Sequence, residues 1–82
     1  MTATVSEILQ AGRRQAGVTS QELWIRYYAI GGGSSPETID AYLDGSVVPR
    51  PADYDVVAQA LNDAFVGEDA DHPIPYAEDI GL

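Results

Sequence analysis

The sequence predicts an all-α domain, a compact bundle of four to five helices, and three observations predict it. Apolar residues recur at i, i+3 and i+4 in four separate segments, the spacing that gathers them on one helical face. Helix start and stop signals flank these segments, with Ser or Thr before them and Gly or Pro after them. No segment alternates apolar and polar residues for long enough to argue a strand.

A chain of 82 residues has room for one small core. It has no cysteine, so no disulfide or thiolate metal site can staple it, and stability must come from helix packing or self-association. The absence of cysteine fits a cytoplasmic protein. No signal-peptide pattern appears, and no apolar run approaches the ~20 residues of a membrane span, so the expectation is a soluble, unprocessed chain with no membrane partner.

The first helix is capped by Thr4 or Thr2, and Val5, Ile8, Leu9, Gly12 and Ala16 make its buried stripe. Gly12 on that stripe weakens the helix by ~1 kcal/mol relative to alanine but would let a neighbouring helix approach closely. Arg13 and Arg14 fall near the C-terminal end, where cations complement the helix dipole; phosphate contact is the other reading of the pair. Gly17 closes the helix.

Thr19-Ser20-Gln21-Glu22 is a capping-box pattern and starts the second helix. Its buried face is predicted to hold Leu23, Trp24, Tyr27 and Ile30, because aromatics at helical spacing fill small cores through the area they bury. Tyr28 and Arg26 fall on a second face, which makes Tyr28 a candidate partner contact. Gly31-Gly32-Gly33 ends the helix; without a following lysine or a preceding strand, it does not make a phosphate loop.

Ser35, at the N-cap, and Pro36, at the first position, open a short third helix that Gly45 closes. Ile39, Tyr42 and Leu43 point inward, while Glu37, Thr38, Ala41 and Asp44 remain outward with Asp40 at the margin. Pro49, Arg50 and Pro51 form an extended link. The fourth helix carries a stripe of Tyr54, Val57, Ala58, Leu61, Ala64 and Phe65, and Asp53, Asp55 and Asp63 are expected outside it or near its N-terminus.

The chain divides into a helical domain over residues 1–66 and an acidic tail over 67–82. Pro73 and Pro75 bar a regular helix at the start of the tail. Either Ile74 and Tyr76 dock on the core, with a helical turn over Tyr76 to Asp79, or the tail is an arm that orders on a partner.

Thirteen acidic residues stand against four arginines and no lysine, for a formal net charge of −9. The tail carries −5, and residues 1–66 carry −4 from eight acids and four arginines. His72 is the single histidine and has no orienting base or nucleophile nearby in sequence, which leaves a catalytic triad without parts. Asp69 and Asp71 lie near it, without zinc-ligand spacing. The expectation is a non-enzyme without cofactor or metal.

Taken in order, the capped Thr19-Ser20-Gln21-Glu22-Leu23, the helix start Ser35-Pro36-Glu37-Thr38-Ile39, Tyr42, Gly45, Pro49 and Val57-Ala58-Gln59-Ala60-Leu61 resemble the helix-turn-helix family of the phage lambda repressor and Cro. The resemblance covers roughly Val5 to Phe65. From Leu23 to Thr38 the second helix and turn are longer than the family's tight unit, a pattern similar to an actinobacterial branch. The resemblance implies a small DNA-binding transcriptional regulator whose third helix enters the major groove. Ser35, Glu37, Thr38 and Ala41 would then face the bases, and Arg13, Arg14, Arg26 and Arg50 the phosphates, with a homodimer doubling the contacts.

The acidic charge points the other way. Glu37, Asp40 and Asp44 leave the third helix without a basic residue. The alternative is an acidic interaction module on the same scaffold, an antirepressor or DNA mimic that binds a basic protein through Tyr28, Asp40 and Asp44.

Overall fold

The computed structural model describes residues 3–65 and 74–82. Four helices form, α1 (Val5–Ala16), α2 (Ser20–Ala29), α3 (Pro36–Asp44) and α4 (Pro51–Phe65), followed by a one-turn 3-10 helix, η1 (Ala77–Ile80). Among the described residues there is no strand. The fold is an all-helical small bundle, as the periodicity predicts.

The predicted caps explain where the helices begin. Thr19 Oγ1 accepts from the Glu22 N–H at 3.0 Å, and Glu22 Oε1 accepts from the Thr19 N–H at 3.1 Å, so two orphan donors are satisfied reciprocally. Thr4 caps α1 in the same way with Glu7, a reciprocal box that the sequence reading did not identify. Ser35 caps α3 through the Thr38 N–H, and Gly45 ends it at φ 86°, a left-handed conformation that a side chain would resist.

α1 packs on α3 and α4, α2 packs on α3 and α4, and η1 packs on α4. Leu9, Leu23, Tyr27, Ile39, Tyr54, Val57, Ala58 and Leu61 are fully buried where these helices meet. The turn after α2 runs close beneath its last buried aromatic: a Cβ on Gly32 would collide with the Tyr27 ring, so a glycine is required there.

Three expectations are corrected. Ile30, expected in the core, is 39% exposed, because α2 stops at Ala29 and Ile30 occupies the C-cap. Trp24 is only half-buried and sits at the rim, with its indole Nε1 donating to the Ser34 carbonyl at 2.9 Å. Asp53 and Asp55 lie near the N-terminus of α4 as expected, but they are half-buried rather than outside and bind across elements, because hydroxyl and amide donors converge on them.

The segment 74–82 docks on the core. Ile74 is buried against Gly12 of α1 and Leu61 of α4; a Cβ on Gly12 would lie 2.5 Å from Ile74 Cδ1. The nearest neighbour of Gly12 is thus the non-helical Ile74 of the C-terminal segment rather than a helix, with Leu61 of α4 next. Asn62 clamps that segment, its amide nitrogen donating to the Ile74 carbonyl at 3.1 Å and its oxygen accepting the Ile74 N–H at 3.0 Å. The Tyr54 hydroxyl donates to the Pro75 carbonyl at 2.8 Å, and the Ala77 N–H donates to Asp55 at 2.7 Å. His72, Asp69 and Asp71 lie outside the described residues. No helix among the described residues is long and apolar enough to cross a membrane.

Candidate functional site

α3 is short because its signals are close together, with Ser35 and Pro36 at one end and Gly45 at the other. Its inner face, Ile39, Tyr42 and Leu43, is buried. That face is also fixed by a polar hub. Asp53 at the start of α4 accepts from the Tyr27 hydroxyl at 2.6 Å, from the Tyr42 hydroxyl at 2.5 Å and from the Ser34 hydroxyl at 2.9 Å. The Ser34 N–H in turn donates to the Tyr27 hydroxyl at 2.8 Å. One carboxylate therefore gathers α2, the turn and α3 onto α4.

Burial pushes the Asp53 carboxyl up, but the hydroxyls of Tyr27, Tyr42 and Ser34 outweigh it and hold the group below its ordinary value. The Tyr42 hydroxyl is pushed up, first by burial and then by its bond to Asp53. The hub was missed in the sequence because a carboxylate in a first helical turn has a ready explanation in the helix dipole. Its signal was position: Asp53 precedes the buried Val57 by one turn and lies on the same face.

The outer face of α3 is acidic. Glu37, Asp40 and Asp44 are exposed, whereas Thr38 and Ala41 are half-buried. Ser35 Oγ and Thr38 Oγ1 are 3.0 Å apart and bond to each other, so the two hydroxyls predicted to face bases already serve the cap. Asp44 accepts from the Ser46 hydroxyl at 2.5 Å and the Ser46 N–H at 2.8 Å, and these bonds hold its carboxyl below the usual range.

Two open clefts reach the carboxylates of this helix. The larger, about 480 Å³, lies between α1, the start of α2 and α3, with Gln10, Arg13, Ser20, Asp40 and Asp44 in its lining. The smaller, about 300 Å³, is lined by Ser20, Gln21, Trp24, Pro36 and Asp40.

Arg13 and Arg14 border clefts that α3 also lines, whereas Arg26 and Arg50 lie on α2 and on the link to α4. Arg13 reaches the larger cleft, but its guanidinium donates to Gln10 Oε1 at 2.6 Å and to the Val18 carbonyl at 3.0 Å, which ties it to the end of α1. Arg14 borders a cleft with Ser6, Glu7 and Leu43. Arg26 lies one turn beyond Glu22 on α2, and Arg50 is exposed on the link to α4. The Glu22 carboxyl is lowered mainly by the Thr19 N–H and hydroxyl, with a smaller contribution from Arg26. Tyr28, predicted as a partner contact, is 63% exposed, with its ring centroid 5.3 Å from that of Trp24.

Comparison of the chain with protein-family models, with curated proteins and with solved structures finds no match in any of the three. Its function must therefore be argued from its own residues.

Proposed function

We propose that the chain is an acidic protein-interaction module that binds a basic protein partner through the outer face of α3. The observation that carries this reading is the row of exposed carboxylates Glu37, Asp40 and Asp44 on a helix whose inner face is buried and anchored to Asp53. At about 1.5 Å per residue the row runs for roughly 10 Å along the helix, a line of negative charge offered on a rigid support. A net charge of −9 attracts a basic surface at long range and repels a polyanion. Absence of cysteine supports a cytoplasmic setting for this activity.

The test is retention of proteins from the native host on the immobilised chain, compared with a variant carrying Glu37→Gln, Asp40→Asn and Asp44→Asn. The expected result is a basic protein that the wild-type chain holds and the variant releases. Equal retention by both, or only acidic proteins on the wild-type column, rejects the reading.

A DNA-binding helix-turn-helix regulator is the second reading. It is favoured by the order of α2, turn and α3, with the capped N-terminus of α3 exposed at Ser35, Pro36 and Glu37. On this reading Glu37 accepts from a cytosine amino group, Arg14 and Arg50 meet phosphates, and a homodimer supplies the missing affinity. Selection from a randomised duplex pool at low salt decides it: an enriched sequence whose binding weakens steeply with salt supports it, and no enrichment removes it.

A further inference from the structure

The smaller cleft beside α3 has a chemistry more specific than its charge. Ser20, Gln21, Trp24, Pro36 and Asp40 line it, and Asp40 is the one charged group in that lining. The indole is oriented by its hydrogen bond to the Ser34 carbonyl. Tyr28 extends the aromatic surface along α2, its ring tilted 32° to that of Trp24. The cleft thus combines a fixed aromatic wall, a proline and a single solvent-facing carboxylate.

We infer that this cleft receives an arginine side chain of the basic protein partner, with the guanidinium against Trp24 and its N–H groups donating to Asp40. The inference rests on the protein-partner reading and names the contact. A guanidinium is planar and weakly hydrated, so it stacks on an aromatic face while its edge donates two hydrogen bonds to a carboxylate. A lysine ammonium is a compact, strongly hydrated point charge and gains the carboxylate while losing more water. A second copy of this chain is the poorer occupant, because two bodies of net charge −9 repel each other. A nucleic acid would bring phosphate against Asp40.

Trp24 is the single tryptophan, so tryptophan emission comes from the wall of this cleft. The experiment titrates the full chain at low salt with a labelled peptide of alternating arginine and serine, and with its lysine counterpart. Binding is followed by the anisotropy of the label and by Trp24 emission. Both peptides should bind through net charge, with the arginine peptide tighter by roughly fivefold. Only the arginine peptide should shift the emission. Asp40→Asn should abolish the preference, whereas Asp44→Asn, outside the cleft lining, should weaken both peptides alike. Equal affinities with unchanged emission, or Asp40→Asn behaving like Asp44→Asn, overturn the cleft while the basic-partner reading stands. Failure of both peptides to bind also overturns the cleft, and retention on the immobilised chain then judges the broader reading by itself.

Discussion

At its N-terminal end α4 holds α2 and α3 through a carboxylate, Asp53; further along, it holds the C-terminal segment through a neutral amide, Asn62. Asn62 is 1% exposed, whereas Asp53 keeps partial contact with water. The difference follows from desolvation. An amide that has both its donor and its acceptor paired can be buried at little cost, but a carboxylate tolerates a half-buried site only because three hydroxyls replace the water it loses. The bonds of Asn62 should therefore be indifferent to acid, and those of Asp53 should not.

The heaviest blow to the amide junction is removal of residues 74–82. Ile74 then leaves its pocket against Gly12 and Leu61, which forfeits about 2–3 kcal/mol of apolar burial. Asn62 and the Tyr54 hydroxyl exchange their protein partners for water, at about 0.5–1.5 kcal/mol for each bond. The melting temperature of the shortened chain, followed by circular dichroism, should fall by roughly 15 °C or more. A melt unchanged from that of the full chain would show that the segment merely rests on the surface.

The corresponding blow to the carboxylate junction is Asp53→Ala, which strands the hydroxyls of Tyr27, Tyr42 and Ser34. A loss of about 3 kcal/mol is expected in urea unfolding. Since α3 is held to α4 by Tyr42, the same change should also loosen the acidic face and weaken binding of a basic partner. Asn62→Ala, at the other junction, should destabilise the fold without that effect on binding.

Acid separates the junctions further. The Asp53 carboxyl lies below its ordinary value of 3.8, so the native state binds that proton more weakly than the unfolded chain does. Its stabilisation is complete above about pH 4 and is lost as the pH falls through the depressed value. Glu7, Glu22 and Asp44 are lowered too and add to the acid sensitivity of the whole chain. The readout is therefore the difference between wild type and Asp53→Asn, which should narrow from pH 5 to pH 3, whereas the difference between wild type and Asn62→Ala should stay constant.

Alkali reverses the order. Burial, with help from Asp55 and Asp79, pushes the Tyr54 hydroxyl up to about 12. The native state holds this proton more tightly than the unfolded chain, so the stabilisation is whole below about pH 10 and is lost as the pH rises through 12. The hydroxyl donates to Pro75, so the C-terminal segment should loosen in that window. A Tyr54→Phe variant, less stable at neutral pH, should lack this contribution to the alkaline loss.

The helices were legible in the sequence because their signals are local. Thr19 with Glu22, Ser35 with Pro36, and Gly45 each act within one turn, and the apolar stripes repeat within a single element. The outward carboxylates of α3 were legible for the same reason. The hub and the clamp were not, because their partners lie far along the chain: Asp53 meets Tyr27, and Asn62 meets Ile74. A trace of them is present in the spacing. Tyr54, Ala58 and Asn62 recur at four-residue steps on one buried line, and Asp55 and Asn62, two turns apart, both bind the C-terminal segment. Polar residues on an apolar stripe announce a buried bond, but the stripe does not say to what.

The smallest expected effect calibrates the others. Thr19→Ala removes the hydroxyl that accepts the Glu22 N–H, a bond at the exposed start of α2 where water can take its place. Loss of such a cap costs about 1 kcal/mol, and the melting temperature should fall by roughly 4–8 °C. Asp53→Ala should cost about three times as much, and the ratio is informative because both changes remove hydrogen bonds to a side-chain oxygen. At Thr19 the stranded donor turns to solvent; at Asp53 the fully buried Tyr27 has no solvent to turn to. Equal losses in the two variants would mean that water reaches the hub as freely as it reaches the cap. The anchoring of α3, and with it the rigid support for the row of carboxylates, would then have to come from the apolar burial of Ile39, Tyr42 and Leu43.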